Sequence, residues 1–273
     1  MPELPEVETV KIALLEEILN EKILSVSVIN KSLRYPVEKC FPEKIVNLKI
    51  IDIQRRGKYL IFNLENNISF LAHLGMTGYF RFSKKKNLAK HDHLIFHFEN
   101  KKMIYNDVRK FGFFKVYYTR QIFKSRHLVN LGLEPLSKDL DTVFIFKSIK
   151  NSKQFIKSYL LNFKNLVGIG NIYSSEILFD SCIHPTKLSH NLNDSEIKRL
   201  IKSTKKILKD AIRLGGTSIK NYQDPKGKIG YFKNHLKVYG RDQKSCLKCK
   251  DSIIKKIMLH GRSTFFCEKC QKI

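Results

Sequence analysis

The fold of the chain is decided by four short runs, KIIDI at 49–53, YLIF at 59–62, HLIFHF at 93–98 and FFKVYY at 113–118. Each run is rich in β-branched or aromatic residues, and glycines and asparagines punctuate the chain between them, as is typical of strands joined by turns. Ahead of them, residues 3–20 carry apolar side chains at helical spacing behind Pro5 and several glutamates that suit a first helical turn. The sequence therefore predicts an α+β protein that begins with a helix packed on a β-sandwich or barrel-like sheet.

The second half of the chain is predicted to be helical. Helical periodicity marks three segments, 155–161, 171–179 and 195–214. Asn193, followed three residues later by Glu196, predicts a capping box at the start of the last helix. The short turn from Val167 to Asn171 offers the N–H groups of a helix start to a phosphate, but it lacks the full Rossmann or P-loop pattern. A helix–turn–helix contact with a nucleic-acid backbone suits the charge of the chain better.

The charge of the chain indicates an anionic partner. Lys and Arg number 51 against 25 Asp and Glu, a formal net charge of +26 that is far beyond what solubility requires. A hydrophobic fraction of 42% over 273 residues supplies a core, which excludes a disordered tail. The absence of a long apolar run excludes a membrane helix, and the acidic start MPELPEVETV has no secretory-signal pattern, so we expect a cytoplasmic protein.

Four cysteines near the end form the strongest local motif, Cys246-x2-Cys249-x17-Cys267-x2-Cys270. Two close pairs joined by a hairpin supply a tetrahedral sulfur shell for one Zn²⁺, and a redox pair is the alternative. Four protein ligands leave no coordination position for a substrate, so the zinc is expected to be structural. Arg262 lies at the predicted hairpin turn, where it either reaches a phosphate or is simply solvated.

The amino terminus is a second candidate site. Met1 before a small residue is commonly removed, which leaves Pro2 with a free secondary amine. The reference pKa of an α-amino group is about 7.7–8.0, so part of the population is neutral and nucleophilic near neutral pH. Attack on a sugar C1′ gives a cationic iminium, and Glu3 beside it can move protons. The alternative is that Pro2 and Glu3 only begin a helix.

Three further residues lie on glycine-bounded turns. Lys58 follows Arg55-Arg56-Gly57 in a basic turn that is either solvated or placed to stabilise charge on a sugar-phosphate. Met76 and Phe111 are either core residues or apolar wedges of the kind that a base-extruding protein needs.

In this order, the motifs resemble the formamidopyrimidine-DNA glycosylase family, bacterial base-excision enzymes for oxidised purines. The resemblance covers nearly the whole chain and several motifs in register. They are PELPEVET at 2–9, RGK at 56–58, HLGMTG at 73–78, KHDH at 90–93, GIGNIY at 168–173, GGT at 215–217, GYF at 230–232, VYGR at 238–241 and GRST at 261–264.

The resemblance implies a bifunctional DNA glycosylase and abasic-site lyase that acts on double-stranded DNA containing an oxidised base, held in a cleft. It implies three parts: a catalytic helix plus β-sandwich domain at 2–120, a helix–two-turn–helix domain at 121–235 that includes a lesion-covering loop at 217–235, and a zinc finger hairpin at 236–273. A monomer is expected.

The resemblance also implies roles for single residues. Pro2 would be the Schiff-base nucleophile and Glu3 the acid/base, while Lys58 would serve in β-elimination and Arg262 would grip phosphate and assist δ-elimination. The other implied DNA contacts are three residues that fill the hole left by the flipped base (Met76, Arg109 and Phe111) and three on the backbone (His91, Lys153 and Asn171). Two positions depart from the family pattern. Val108 stands where the family usually has proline and affects one hairpin. The pair Asn162-Phe163 affects one hydrogen-bond network.

Two rival functions remain at this point. A sister family resembling endonuclease VIII performs the same chemistry on oxidised pyrimidines, although the PELPE start and the Met76, Arg109, Phe111 set favour the purine branch. A zinc-dependent nucleic-acid binder without catalysis fits the composition equally well, and only the products distinguish it.

Overall fold

The chain forms two compact units. The computed structural model describes residues 2–83, 88–217, 225, 227 and 230–273. The first unit comprises residues 1–129 and 214–233, and the second comprises 130–213 and 234–273. Within the described ranges, no helix combines the length and the apolar composition needed to span a membrane.

The first unit contains two helices and two antiparallel four-stranded sheets. Its elements are α1 (Leu4–Ile18), β1 (Ser25–Val28), α2 (Phe41–Ile45), β2 (Ile50–Arg56), β3 (Tyr59–Leu64), β4 (Ile68–His73), β5 (Tyr79–Ser83), β6 (Asp92–His97), β7 (Lys102–Asn106) and β8 (Phe113–Tyr118). The strand orders are β1-β6-β7-β5 and β2-β3-β4-β8. The predicted helix and strands are confirmed, and the four runs that suggested the sheet form β2, β3, β6 and β8.

One hydrophobic core joins both sheets to α1. Phe62 of β3 stacks on Phe70 of β4 with ring centroids 4.3 Å apart, and Phe70 stacks on Phe96 of the other sheet at 5.8 Å. Val10 and Leu14 of α1 pack into the same cluster and are fully buried. Burial on this scale provides the main stabilisation of the unit and holds the turns at the strand ends in fixed positions.

The second unit is mainly helical. Its elements are α3 (Thr142–Ile149), α4 (Ile156–Leu161), α5 (Asn171–Asp180), α6 (Asp194–Arg213) and the hairpin strands β9 (Lys255–Leu259) and β10 (Arg262–Phe266). The capping box before α6 is confirmed: Glu196 N–H donates to Asn193 Oδ1 and Asn193 N–H donates to Glu196 Oε2, both at 3.0 Å. Helix α3 was not predicted, although Asp141 caps it by accepting from Phe144 N–H at 2.7 Å.

The predicted hairpin between the cysteine pairs is present. Strands β9 and β10 are antiparallel, with Arg262 opposite Leu259. His260 and Gly261 between them both have positive φ, 46° and 72°, which matches a two-residue turn whose twist suits the strands. Phe265 of β10 packs with Val238 and two of the cysteines in a small cluster.

Candidate active site and nucleic-acid interface

Glu6 fixes the start of the chain. It is 2% exposed, and its carboxylate accepts from Glu3 N–H at 2.8 Å and from Thr217 N–H at 2.7 Å. Glu3 is the buried N-cap residue of α1, so Pro2 lies just outside the helix. The backbone next to Pro2 is fixed, because the Glu6 carboxylate binds the N–H groups of both Glu3 and Thr217. This role of Glu6 was not predicted, although an acidic residue three positions after the N-cap is its ordinary signal in a sequence.

Gly216 belongs to the same arrangement. Its φ is +79°, and a Cβ atom built there would lie 2.9 Å from Glu6 Oε1. A glycine at this position therefore allows the 216–217 backbone to approach the Glu6 carboxylate. The chain after Thr217 was predicted to be a lesion-covering loop at 217–235, and residues 218–224, 226, 228 and 229 of it lie outside the described residues.

Lys58 lies in the β2–β3 turn, and its charge acts on His73 at the end of β4. Burial, followed by the positive charges of Lys58 and Arg34, lowers the pKa of His73 to about 4. His73 is therefore neutral near pH 7, and its Nδ1 accepts from Gly75 N–H at 3.1 Å. The basic turn that contains Lys58 is thus close enough to the glycine turn at 73–78 for its charge to lower the pKa of His73.

Met76, Arg109 and Phe111 come together on the surface of the first unit. The Arg109 guanidinium lies 4.5 Å above the Phe111 ring, and its Nη1 lies 3.0 Å from Met76 Sδ. Met76 is 39% exposed and Phe111 is 37% exposed. Their exposure excludes the core interpretation of both residues. A cation between two apolar side chains is an arrangement suited to filling a gap in a base stack.

Asp107, completely buried, anchors the two turns that carry these residues. One carboxylate oxygen accepts from Thr77 Oγ1 at 2.5 Å and from Arg109 N–H at 3.2 Å. The other accepts from Tyr105 Oη at 3.1 Å and from Gly112 N–H at 2.8 Å. One carboxylate therefore fixes the turn that contains Met76 relative to the turn that contains Arg109 and Phe111.

Asp107→Asn is expected to lower the free energy of unfolding by about 1–3 kcal/mol, since an amide cannot accept from the donors at both of its ends. Denaturant titration of the two proteins measures this difference. Asp52→Asn is the matched control, because that carboxylate accepts from the exposed Gln54 amide at 2.9 Å. The control should stay within about 0.5 kcal/mol of the wild type. Equal stability of all three proteins would contradict the anchoring role of Asp107.

His91, predicted to contact the DNA backbone, lies beside the Asp107 turn. Its backbone oxygen accepts from Asp107 N–H at 3.1 Å, and its φ is +72°. The neighbouring Lys90 carbonyl accepts from Asn106 Nδ2 at 2.9 Å. These bonds fix the backbone of the KHDH motif against β7.

In the second unit, a hydrogen bond links Asn171 to the strand that begins at Arg262. Asn171 is the first residue of α5, and its Nδ2 donates to the Ser263 carbonyl at 2.9 Å. Lys157 of α4, completely buried, donates to the same carbonyl at 3.2 Å and to Thr264 Oγ1 at 2.8 Å. Arg262 therefore projects from a strand whose next two residues are held by α4 and α5. The role of Lys157 was not predicted, because no local pattern in the sequence distinguishes it from the other lysines.

Lys153, the other predicted backbone contact, is exposed in the connection between α3 and α4. It is separate in sequence from Asn171 and Arg262, and it lines an open cavity on the second unit.

The four cysteines of the C-terminal motif form one cluster. Cys246 Sγ lies 3.8 Å from Cys270 Sγ, and Cys249 Sγ lies 3.7 Å from Cys267 Sγ. All four sulfur atoms lie within 4.8 Å of one another, so the group could hold a metal ion. A tetrahedral ion with metal–sulfur bonds of about 2.3 Å requires sulfur–sulfur distances of about 3.8 Å, and the cluster therefore fits such an ion.

Comparison with known proteins identifies the family. The formamidopyrimidine-DNA glycosylase N-terminal domain model matches residues 1–114, and the formamidopyrimidine-DNA glycosylase H2TH domain model matches residues 131–223. A formamidopyrimidine-DNA glycosylase from Rickettsia bellii is 43% identical over 276 residues, which cover 100% of both chains.

Solved structures agree with this result. A Lactococcus lactis Fpg variant bound to DNA containing Fapy-dG superposes with a TM-score of 0.93, at 37% identity and with 100% of both chains covered. The Lactococcus lactis Fpg bound to DNA containing an abasic site gives the same TM-score and identity and covers 99% of this chain and 100% of that one. From these matches and the geometry described above, the chain belongs to the formamidopyrimidine-DNA glycosylase family.

Proposed function

We propose that the chain is a base-excision repair enzyme that removes oxidised purines, 8-oxoguanine and formamidopyrimidines, from double-stranded DNA and then cleaves the abasic site. The observation that carries this proposal is the start of the chain, where Pro2 precedes the buried Glu3 on a backbone fixed by Glu6. Membership of the family and the likeness to Fpg structures bound to Fapy-dG and abasic-site DNA support it.

In the proposed mechanism, the Pro2 nitrogen attacks C1′ of the damaged nucleotide and the base leaves with the bonding electrons and a proton. The C1′–O4′ bond of the sugar then breaks, O4′ takes a proton from Glu3, and the lone pair of the Pro2 nitrogen forms an iminium that makes the C2′ proton acidic. Loss of that proton expels the 3′ phosphate (β-elimination), and a second elimination expels the 5′ phosphate and leaves a gap. Glu3 moves protons at the sugar, Lys58 serves the first elimination, and Arg262 binds phosphate and assists the second.

The DNA-binding residues act by position and by charge. We propose that Met76, Arg109 and Phe111 fill the space left when the damaged nucleotide turns out of the duplex. His91, Lys153 and Asn171 contact the backbone. The net charge of +26 supplies the nonspecific attraction to phosphates, whereas the lesion itself supplies selectivity.

We propose that the ion held by Cys246, Cys249, Cys267 and Cys270 is Zn²⁺. An all-thiolate tetrahedral donor set suits zinc, and the sulfur spacing in the cluster supports this assignment. When bound, the ion cross-links the two cysteine pairs and so stiffens the base of the hairpin that carries Arg262.

We retain the three functional segments 2–120, 121–235 and 236–273 as a proposal. They differ from the compact units in two ways. Residues 121–129 and 214–233 belong to the first unit, and residues 236–273 belong to the second unit together with 130–213. We also propose that the protein works as a monomer in the cytoplasm, where chromosomal DNA is its substrate.

The function is tested by initial rates on two duplexes, one with 8-oxoguanine opposite cytosine and one with thymine glycol. We expect incision of the first to be at least about tenfold faster, which is about 1.4 kcal/mol of discrimination. The products should carry phosphate at both margins of the gap, as successive eliminations require. Faster incision of thymine glycol would assign the pyrimidine branch, and a gel shift without incision would leave only a binding protein.

A further inference from the structure

The second unit contains an open cavity of about 530 Å³ between the end of α3 and the start of α4. Two lysines, three side-chain amides and two serines line it, and Lys147 and Lys153 are the cations. None of these seven lining residues is acidic. The cavity is therefore a cationic surface with amide donors, which is the chemistry that recognises phosphate oxygens.

The walls of the cavity are held by hydrogen bonds to the interior. Asn165 Nδ2 donates to the Tyr159 carbonyl at 3.2 Å, and the Tyr159 hydroxyl lies 2.5 Å from Ser148 Oγ. Ser152 is fixed from the other side, because Ser189 Oγ donates to its hydroxyl oxygen at 2.9 Å and to its carbonyl oxygen at 3.0 Å. These bonds fix Ser148, Ser152 and Asn165 before a ligand arrives, which lowers the entropic cost of ordering that part of the cavity.

The end of a helix normally disfavours an anion, because its last carbonyl oxygens carry partial negative charge. At α3 some of these oxygens are already engaged. Of the last four, Phe146 O accepts from Lys150 N–H at 3.1 Å and Ile149 O accepts from Ser152 N–H at 2.9 Å. The repulsion is therefore reduced where Lys147 and Lys153 supply positive charge.

We propose that Lys147, with the amides of Asn151 and Gln154, forms a second phosphate-binding subsite beside Lys153 that takes a further phosphodiester of the same DNA. This proposal rests on the proposed function, which makes DNA the ligand and Lys153 a backbone contact. It adds that the DNA-binding surface extends past Lys153 along α3. The exposure of Lys147 on the last turn of that helix leaves it accessible to a strand.

The test measures the Kd for a duplex with an uncleavable tetrahydrofuran abasic analogue between about 0.05 and 0.2 M salt. For Lys147→Ala we expect the slope of log Kd against log salt to fall by about 0.9, the value for one lost phosphate contact. The ratio of the Kd of Lys147→Ala to the wild-type Kd should then be about 3.5-fold larger at about 0.05 M salt than at about 0.2 M salt. Lys147→Arg, which keeps the charge, should restore the slope.

Lys150→Ala is the matched control. Lys150 is an exposed lysine at the C-cap of the same helix, and it is not among the residues that line the cavity. It should therefore keep the wild-type slope. A wild-type slope for Lys147→Ala, or an equal fall for Lys150→Ala, would overturn the subsite.

This outcome is separate from that of the proposed function. The binding assay involves no chemistry, so failure of the subsite leaves base excision by the wild-type protein unaffected. Failure of the proposed function would instead appear as the absence of incision by the wild type on either damaged duplex.

Discussion

Pro2→Gly is expected to abolish the covalent protein–DNA complex that borohydride traps on 8-oxoguanine DNA. Reduction captures only a Schiff base, and the ring nitrogen of Pro2 forms an iminium that is cationic without protonation. A glycine in its place leaves a primary amine whose imine must first gain a proton. We expect the yield of trapped complex to fall by at least about 10³-fold, the usual scale for loss of a nucleophile.

Two further proteins make the Pro2 test specific. A chain that retains Met1 should also fail to trap, because the Pro2 nitrogen is then an amide without a nucleophilic lone pair. Pro5→Ala, in the first turn of α1, should trap normally, because it changes a proline that has no free amine. Mass analysis of the digested complex should place the reduced sugar on residue 2. Trapping by the Met1-retaining chain would exclude Pro2 as the nucleophile.

Cys267→Ser is expected to remove the metal and to unfold the C-terminal hairpin. Cys267 is completely buried within the four-sulfur cluster, so its loss leaves three thiolates around the ion. Structural zinc contributes about 10–16 kcal/mol in small zinc peptides, which is far more than the small core of this hairpin can replace. Zinc content should fall from about one ion per chain to nearly none. Affinity for tetrahydrofuran DNA should fall with it, because Arg262 loses its fixed strand.

Hydrogen exchange separates this effect from general unfolding. In Cys267→Ser the amides of β9 and β10 should exchange freely, while those of β3 and β4 keep wild-type protection. Cys40→Ser is the control, since Cys40 lies at the N-cap of α2 in the first unit, where serine is favourable. It should keep both zinc and affinity. Full zinc content in Cys267→Ser would contradict the assignment of the metal centre.

The features that were predicted correctly have local causes. The strand runs have period-two or continuous apolar patterns, α6 has its capping box, and the cysteine pairs sit on the two sides of one hairpin. Helix α3 was missed because its exposed face carries Val143 and Phe146, which blur the amphipathic pattern.

The site was predicted less completely. Motifs in the sequence predicted Pro2, Lys58 and the gap-filling residues. They did not predict the buried residues that hold the site in place. Asp107 accepts from residues 30 positions before it and five after it, and Lys157 donates to a strand more than 100 positions away. Sequence spacing cannot reveal such pairs, because an acidic or basic residue has the same local pattern whether it is solvated or buried.

The sequence by itself determined the strands, the four helices α1, α4, α5 and α6 and the metal-ligand set, because each depends on spacing within one stretch of the chain, and it predicted the chemistry of a free proline amine. Only the tertiary structure decided that Met76 and Phe111 face solvent with Arg109 between them, that Glu6 fixes the backbone after Pro2, and that Lys147 lines a cavity with Lys153. Those outcomes depend on which distant segments pack together, and the energy of that packing is a property of the whole core.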